Sequence, residues 1–172
     1  ASGLAGAATA QIVQTGCGGA GAATAYALLS GGTGVLHLVD SDQDRAKALA
    51  DTLCARFGAG RAVVAADVAD AMDMADGLVN ASPMGMAKFP GMPVTSAAIE
   101  SRHWVADIVY FPLETALLRD AARKGCRTLN GSGMAVGQAA DAFEIFTGRS
   151  PDRARMRASF LDYVSARPDQ AA

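Results

Sequence analysis

Paired cysteines, clustered charge and long apolar runs are all missing from this 172-residue chain. Cysteine occurs only as Cys17, Cys54 and Cys126, an odd number, far apart and without a CxxC pair. That excludes a disulfide scaffold and fits a reducing compartment, so a cytoplasmic location is expected. No apolar run reaches the ~18–20 residues of a spanning helix, and no membrane partner is predicted. The net charge is only −2 and the basic residues are scattered, which predicts no nucleic-acid surface. Two histidines, His37 and His103, stand without a Cys, Ser or metal-ligand partner at a useful spacing; both read as structural, and no metal is expected. The opening ASGLAGAATA has neither an initiator Met nor a basic segment, so it reads as the tail of an earlier segment rather than a signal peptide.

Apolar side chains make up 51% of the chain, enough for one globular domain with a sizeable core. Apolar runs alternate with helical patterns. Strands are predicted at Ile12–Thr15, Val35–Val39, Ala62–Ala66, Gly77–Asn80, Trp104–Val109 and Cys126–Leu129. Helices are predicted at Gly19–Ser30, Gln43–Phe57, Val68–Met74, Leu113–Lys124 and Met134–Thr147. A last helix starts with Ser150 as N-cap and Pro151 in its first turn, and its apolar face is Met156, Phe160, Tyr163 and Val164. The tail after Ala166 is expected to fray. Strands alternating with helices imply βαβ units and a parallel sheet. The fold class is α/β: a doubly wound, Rossmann-type parallel sheet of about six strands with helices on both faces, in the order 3-2-1-4-5-6.

The sharpest local signal is QIVQTGCGGAGAATAYALL. Gly16-Cys17-Gly18-Gly19-Ala20-Gly21 fits G-x-G-x-x-G between a predicted strand and a predicted helix, and Asp40 follows Gly21 by 19 residues at the end of the next strand. Gly16 permits the tight turn, Gly18 lets the backbone approach a pyrophosphate, and Gly21 lets helix and strand pack closely. The N–H groups around Gly19 and Ala20 and the positive end of the helix dipole face the phosphates. Asp40 can accept from ribose hydroxyls and would repel a 2′-phosphate, so NAD is favoured over NADP. Arg45 either lies over the adenine or ribose or is a solvated helix-surface residue. Cys17 reads as packing.

Three further stretches resemble one family. NASPMGM (Asn80–Met86), DIVYFPLETALL (Asp107–Leu118) and NGSGMAVGQAADAFEIFTG (Asn130–Gly148), together with the glycine loop, resemble the shikimate dehydrogenase family. The acidic DSDQDRA after the second strand is similar to its NAD-using quinate/shikimate branch rather than its NADP-using branch. The resemblance implies roles. Pro83, Met84, Gly85 and Met86 would lie along the cofactor toward its nicotinamide half. Ile108 and Gly131 would offer backbone groups to the carboxamide, and Met134 would pack on the ring. Tyr110 and Gln138 would reach a polyol acid, quinate or shikimate. Gln138 also interrupts an otherwise apolar helical face, where a polar group needs a partner.

In the family a Lys–Asp pair moves the proton, and both residues come from an N-terminal substrate domain. Only fifteen residues precede Gly16, none of them Lys or Asp, so no catalytic residue is expected in this chain. Residues 1–150 would then be the dinucleotide-binding domain, and 151–172 a helix packing on that preceding domain. A homodimer is compatible with this picture but not legible in it. Two rivals stay open: a stand-alone dinucleotide-binding regulatory module, and a related dehydrogenase acting on an amino-shikimate analogue.

Overall fold

The computed structural model describes residues 4–166. Six strands form one parallel sheet: β1 (Gln11–Thr15), β2 (Val35–Val39), β3 (Ala62–Val64), β4 (Gly77–Asn80), β5 (Trp104–Asp107) and β6 (Arg127–Leu129). Their order is β3-β2-β1-β4-β5-β6, as the alternation predicts. Four helices intervene, α1 (Gly19–Ser30), α2 (Gln43–Phe57), α3 (Val68–Met74) and α4 (Ala116–Arg123), and two follow the last strand, α5 (Ser132–Thr147) and α6 (Arg153–Ser165).

Period-two alternation sends neighbouring strand residues to opposite faces. Ile12, Leu36, Leu38, Val79 and Trp104 pack with Ala25 and Leu29 of α1 and Ala46, Ala50 and Leu53 of α2. Val13, Leu78 and Val105 pack on the other side with Ala71 and Met72 of α3 and Leu117, Leu118 and Ala121 of α4. The sheet is thus covered on both faces, as parallel sheets usually are. Close approach demands glycine at Gly77, where a Cβ would stand 2.1 Å from the Trp104 ring. The Trp104 indole N–H donates to the Ala8 carbonyl (2.7 Å), tying the first described residues to the sheet.

Several predicted boundaries shift for local reasons. β3 ends at Val64 rather than Ala66. β5 stops at Asp107 rather than Val109, because the Asp107 carboxylate takes the Val109 N–H (3.0 Å) and turns the chain out of the ladder. α4 begins at Ala116 rather than Leu113, since the Thr115 hydroxyl caps it by accepting from Leu118 N. α5 begins two residues early, where Asn130 Oδ1 accepts from Ser132 N (3.2 Å). In α6 the cap is Asp152, accepting from Arg155 N (2.9 Å), rather than Ser150; a carboxylate two residues downstream displaces the predicted start. The expected fraying after Ala166 lies outside the described residues.

Candidate functional site

β1 and β4 are neighbours in space, but α1, which follows β1, and α4, which follows β5, cover opposite faces of the sheet. A crevice opens at such a point, outside the carboxyl ends of the strands. A cleft of about 760 Å³ lies here, within the usual range for small-molecule sites. Gly18, Gly19 and Ala20 form one end of its lining, Pro83 and Met86 contribute from the loop after β4, and Ile108 and Tyr110 from the segment after β5. Met134 and Gln138 of α5 and Phe160, Tyr163 and Val164 of α6 complete it.

The glycine loop is built as the spacing predicts. Gly16 has φ +91°, and a Cβ there would stand 2.6 Å from the Ala81 backbone. A Cβ on Gly21 would stand 2.1 Å from the Gly16 carbonyl oxygen. At Gly18 and Gly19 a Cβ would meet nothing within 4 Å, so these two are open toward the cleft rather than packed. From below, Gln14 Nε2 donates to the carbonyls of Gly16 and Gly21 (2.9 Å each), fixing the loop on the end of β1.

Helix capping points to the same place. α2, α3, α4 and α6 are each capped by a side-chain oxygen, from Asp42, Asp67, Thr115 and Asp152 respectively. α1 and α5 have glycine N-caps, Gly18 and Gly131, with no side-chain cap, and of the two it is Gly18 that is open toward the cleft. The first N–H groups of α1, with the helix dipole behind them, face the cleft, the arrangement that receives an anion.

Asp40 stands beside the loop. Its Oδ2 accepts from Cys17 N (2.7 Å) and its Oδ1 from Asp42 N (2.9 Å). Burial works to raise its pKa, but the N–H groups of Asp42 and Cys17, the Arg45 guanidinium and the Ser41 hydroxyl together hold it below the usual carboxylate value. The group is therefore an anion at neutral pH. Arg45 spans Asp40 (3.4 Å) and Asp42 (2.9 Å), so its guanidinium is engaged by acids on its own helix start. Cys17 is buried, and burial first, then the Asp40 charge, pushes its thiol up to about 11, which fits the packing role.

Of the residues singled out from the sequence, Gly18, Gly19, Ala20, Pro83, Met86, Ile108, Tyr110, Met134 and Gln138 line the cleft together. Gly16 and Gly21 shape it from behind. Asp40, Arg45, Met84, Gly85 and Gly131 lie off its lining. Gly85 (φ +100°) sits against Thr115, and Met84 is held by its carbonyl, which accepts from Asn80 Nδ2 (2.9 Å). Gly131 is required by space, since a Cβ there would stand 2.4 Å from the Ile108 carbonyl oxygen. One expectation is corrected. Gln138 is exposed in the cleft rather than buried on an apolar face, so it needs no protein partner. Tyr110 is 48% exposed, its ring tilted against Phe160 with centroids 6.3 Å apart.

Both histidines are structural, as expected. His37 pairs with Gln11 Oε1 (2.6 Å). His103 Nδ1 accepts from Glu100 N (3.0 Å), leaving Nε2 to donate to the Met72 carbonyl (3.1 Å), which fixes the neutral tautomer. Burial lowers the pKa of each, with Arg102 adding to the effect at His103. Among the described residues no group of three or more His, Cys, Asp or Glu could hold a metal, and no helix is long and apolar enough to cross a membrane.

What residue-by-residue reading missed is a buried polar cluster under the cleft: Asn80, Asp107 and Thr115. Burial pushes the Asp107 pKa up, against hydrogen bonds from Thr115, Val109 and Asn80 that pull it down. The signal was present, because Asn80 and Asp107 are polar residues ending two apolar strands.

Comparison with known proteins gives relatives chiefly of one kind. Residues 131–159 match the model of the shikimate 5'-dehydrogenase C-terminal domain. A shikimate dehydrogenase (NADP(+)) of Pseudarthrobacter chlorophenolicus is 54% identical over 168 residues, 96% of this chain and 57% of that protein. A quinate/shikimate dehydrogenase (NAD(+)) of Corynebacterium efficiens is 49% identical, over 87% of this chain and 54% of that protein. The solved quinate dehydrogenase from Corynebacterium glutamicum in complex with NAD superposes with a TM-score of 0.87 at 45% identity, covering 93% of this chain and 57% of that one. The chain is thus similar to shikimate and quinate dehydrogenases. It spans a little over half the length of the curated relatives it matches. A 5-ketofructose reductase of Gluconobacter, 30% identical with a TM-score of 0.74, carries the same fold. Each of the four resemblance motifs contributes residues to the cleft lining: Gly18–Ala20, Ala81–Pro83 with Met86, Ile108–Phe111, and Met134 with Gln138.

Proposed function

We propose that this chain is the NAD-binding part of a dehydrogenase that oxidises a ring hydroxyl of quinate or shikimate. The observation that carries this reading is the uncapped start of α1, open at Gly18 and Gly19, in one cleft with Tyr110 and Gln138. The residues fit the cofactor. The N–H groups of Gly19, Ala20 and Gly21 would take the pyrophosphate. Asp40 Oδ2 accepts only from Cys17 N, which leaves a lone pair there for a ribose hydroxyl. Its charge, with Asp42 next to it and Arg45 occupied by both acids, opposes a 2′-phosphate and supports NAD over NADP, the reading also supported by the NAD-using Corynebacterium relatives.

Bound there, NAD would supply the hydride acceptor, while the protein supplies position and electrostatics. Pro83, Met84, Gly85 and Met86, with Ile108, Gly131 and Met134, would hold the nicotinamide end. Tyr110 and Gln138 would orient the substrate. Residues 1–150 would be the cofactor domain and 151–172 the element meeting a substrate domain that carries the Lys–Asp pair for proton transfer. The setting would be the cytoplasm, with a homodimer as a candidate assembly.

The test is calorimetric titration of the 172-residue chain with NAD and NADP, paired with NADH production from quinate and shikimate. The reading requires NAD to bind more tightly and turnover to be undetectable until a Lys–Asp-bearing domain is supplied. A positioned base alone typically contributes about 10²–10⁴-fold. Tighter binding of NADP, or robust turnover by this chain alone, defeats it.

A further inference from the structure

Three fully buried polar side chains join the loops of the cleft from below. Asn80, the last residue of β4, donates through Nδ2 to Asp107 Oδ1 (2.9 Å) and to the Met84 carbonyl (2.9 Å). Its Oδ1 accepts from Thr15 Oγ1 (3.1 Å), Ser82 N (3.1 Å) and Ser82 Oγ (2.6 Å). Asp107, the last residue of β5, accepts at Oδ1 from Val109 N as well, and at Oδ2 from the Thr115 hydroxyl (2.7 Å). Thr115 in turn caps α4. Gly85 completes the arrangement, because a side chain there would stand 3.2 Å from Thr115 Cγ2 and 3.8 Å from Asp107 Oδ2.

Asp107 is only 2% exposed, and no cation pairs with it among the described residues. A buried carboxylate is a poor way to gain stability. What this one gains is connection. Its three donors come from three different segments: the loop after β4, held through Asn80; the segment after β5, held at Val109; and the start of α4. The first two line the cleft at Pro83, Met86, Ile108 and Tyr110. The glycine loop and Asp40 sit at the other end, on the far side of β1. If that end takes the pyrophosphate and adenosine, the segments bonded to Asp107 take the remainder of the dinucleotide.

We infer that Asp107 is a positioning residue: through Asn80 and the Val109 N–H it sets the spacing of the two segments that receive the nicotinamide end, leaving the adenosine end to the glycine loop. The inference rests on the cofactor reading above. Neither Asp107 nor Thr115 lines the cleft, so each acts through the backbone it holds.

The experiment compares two probes on the 172-residue chain: NAD, and ADP-ribose, which lacks only the nicotinamide. Asp107→Asn replaces one acceptor oxygen by an NH₂, so either the Asn80 and Val109 donors at Oδ1 or the Thr115 hydroxyl at Oδ2 lose their acceptor. The expected result is a loss of NAD affinity of about tenfold or more, with ADP-ribose affinity unchanged within about twofold. Amide exchange should accelerate at residues 82–86 and 108–110 and stay slow in β1 and β2. Thr115→Ser keeps the hydroxyl and should behave as wild type; Thr115→Val removes it and should reproduce Asp107→Asn. This second pair decides the matter if Asp107→Asn does not fold. Equal weakening of both probes, no weakening of either, or Thr115→Ser behaving like Thr115→Val overturns the inference while leaving the cofactor reading intact. A wild-type chain that binds neither probe overturns the cofactor reading itself, and this inference with it.

Discussion

Gly18 and Gly21 stand three residues apart in one loop, and the structure assigns them opposite kinds of intolerance. At Gly21 a Cβ would sit 2.1 Å from the Gly16 carbonyl oxygen, a backbone atom held in turn by Gln14. Gly21→Ala must therefore push α1 away from the loop, at a cost of about 1–3 kcal/mol for an overpacked contact. For a chain of this size each 1 kcal/mol lowers the melting temperature by about 2–4 °C. At Gly18 the backbone is extended (φ −71°, ψ −167°), which any residue can adopt, and a Cβ meets no protein atom within 4 Å. Gly18→Val should then melt within about 2–4 °C of wild type, since losing glycine at an N-cap costs no more than about 1 kcal/mol. Its side chain would project into the space assigned to the pyrophosphate. Displacing two backbone-to-phosphate hydrogen bonds of about 1.5–3 kcal/mol each lowers NAD affinity by about 10²–10⁴-fold. Thermal melts with and without NAD, together with calorimetry, separate the two effects. A Gly18→Val chain that binds NAD normally would refute the phosphate-cradle assignment. A Gly21→Ala chain that melts like wild type would show that the packing argument is wrong.

Asp40→Ala should narrow or reverse the preference for NAD over NADP, by about 1–3 kcal/mol from lost ribose bonds and relieved repulsion, read from the two dissociation constants. The same carboxylate has a depressed folded-state pKa, so its contribution to stability is present above the ordinary aspartate value and lost as pH falls through the folded one; acid melts of Asp40→Ala should be flatter across that window. His37 and His103 also have depressed pKa values, so the unfolded chain binds their protons first and stability should decline as pH falls from about 6.5. A His103 titrating at or above 6.5 by NMR would contradict the argument from burial and Arg102. Gly77→Ala should destabilise by about 1–3 kcal/mol through displacement of Trp104, visible as a shift in Trp104 fluorescence and melting temperature.

The strand order and the glycine loop were legible because each depends on short-range pattern, whereas the gathering of Pro83, Ile108, Tyr110 and Met134 around one cleft was implied only by the family resemblance of the motifs that hold them. Alternating apolar runs dictate βαβ units, and parallel βαβ units converge their loops on one end of the sheet. Helix starts were less legible. Thr115 and Asp152 decide them through single hydrogen bonds to the backbone, and apolar periodicity does not register such bonds. The exposure of Gln138 was misjudged because a helical wheel shows which residues share a face but not whether that face meets protein or a cleft. Arg45 offered two readings that only its distances to Asp40 and Asp42 could separate. The Asn80–Asp107–Thr115 cluster depends on contacts across 27 and 8 residues, which no local window contains.

Asp40 meets the glycine loop through one backbone N–H, that of Cys17, and otherwise bonds only to its own helix start at Ser41, Asp42 and Arg45. The loops after β1 and β4, by contrast, touch backbone to backbone at Gly16 and Ala81 and cannot change independently. The protein is therefore modular in an uneven way. The β2–α2 corner can be rewritten with little consequence for the rest of the cleft, whereas the centre of the cleft must change as a unit. Lineages sharing this architecture are free to exchange one nicotinamide coenzyme for the other while keeping their chemistry. Relatives of this chain at 54% and 49% identity do carry different coenzymes in their names.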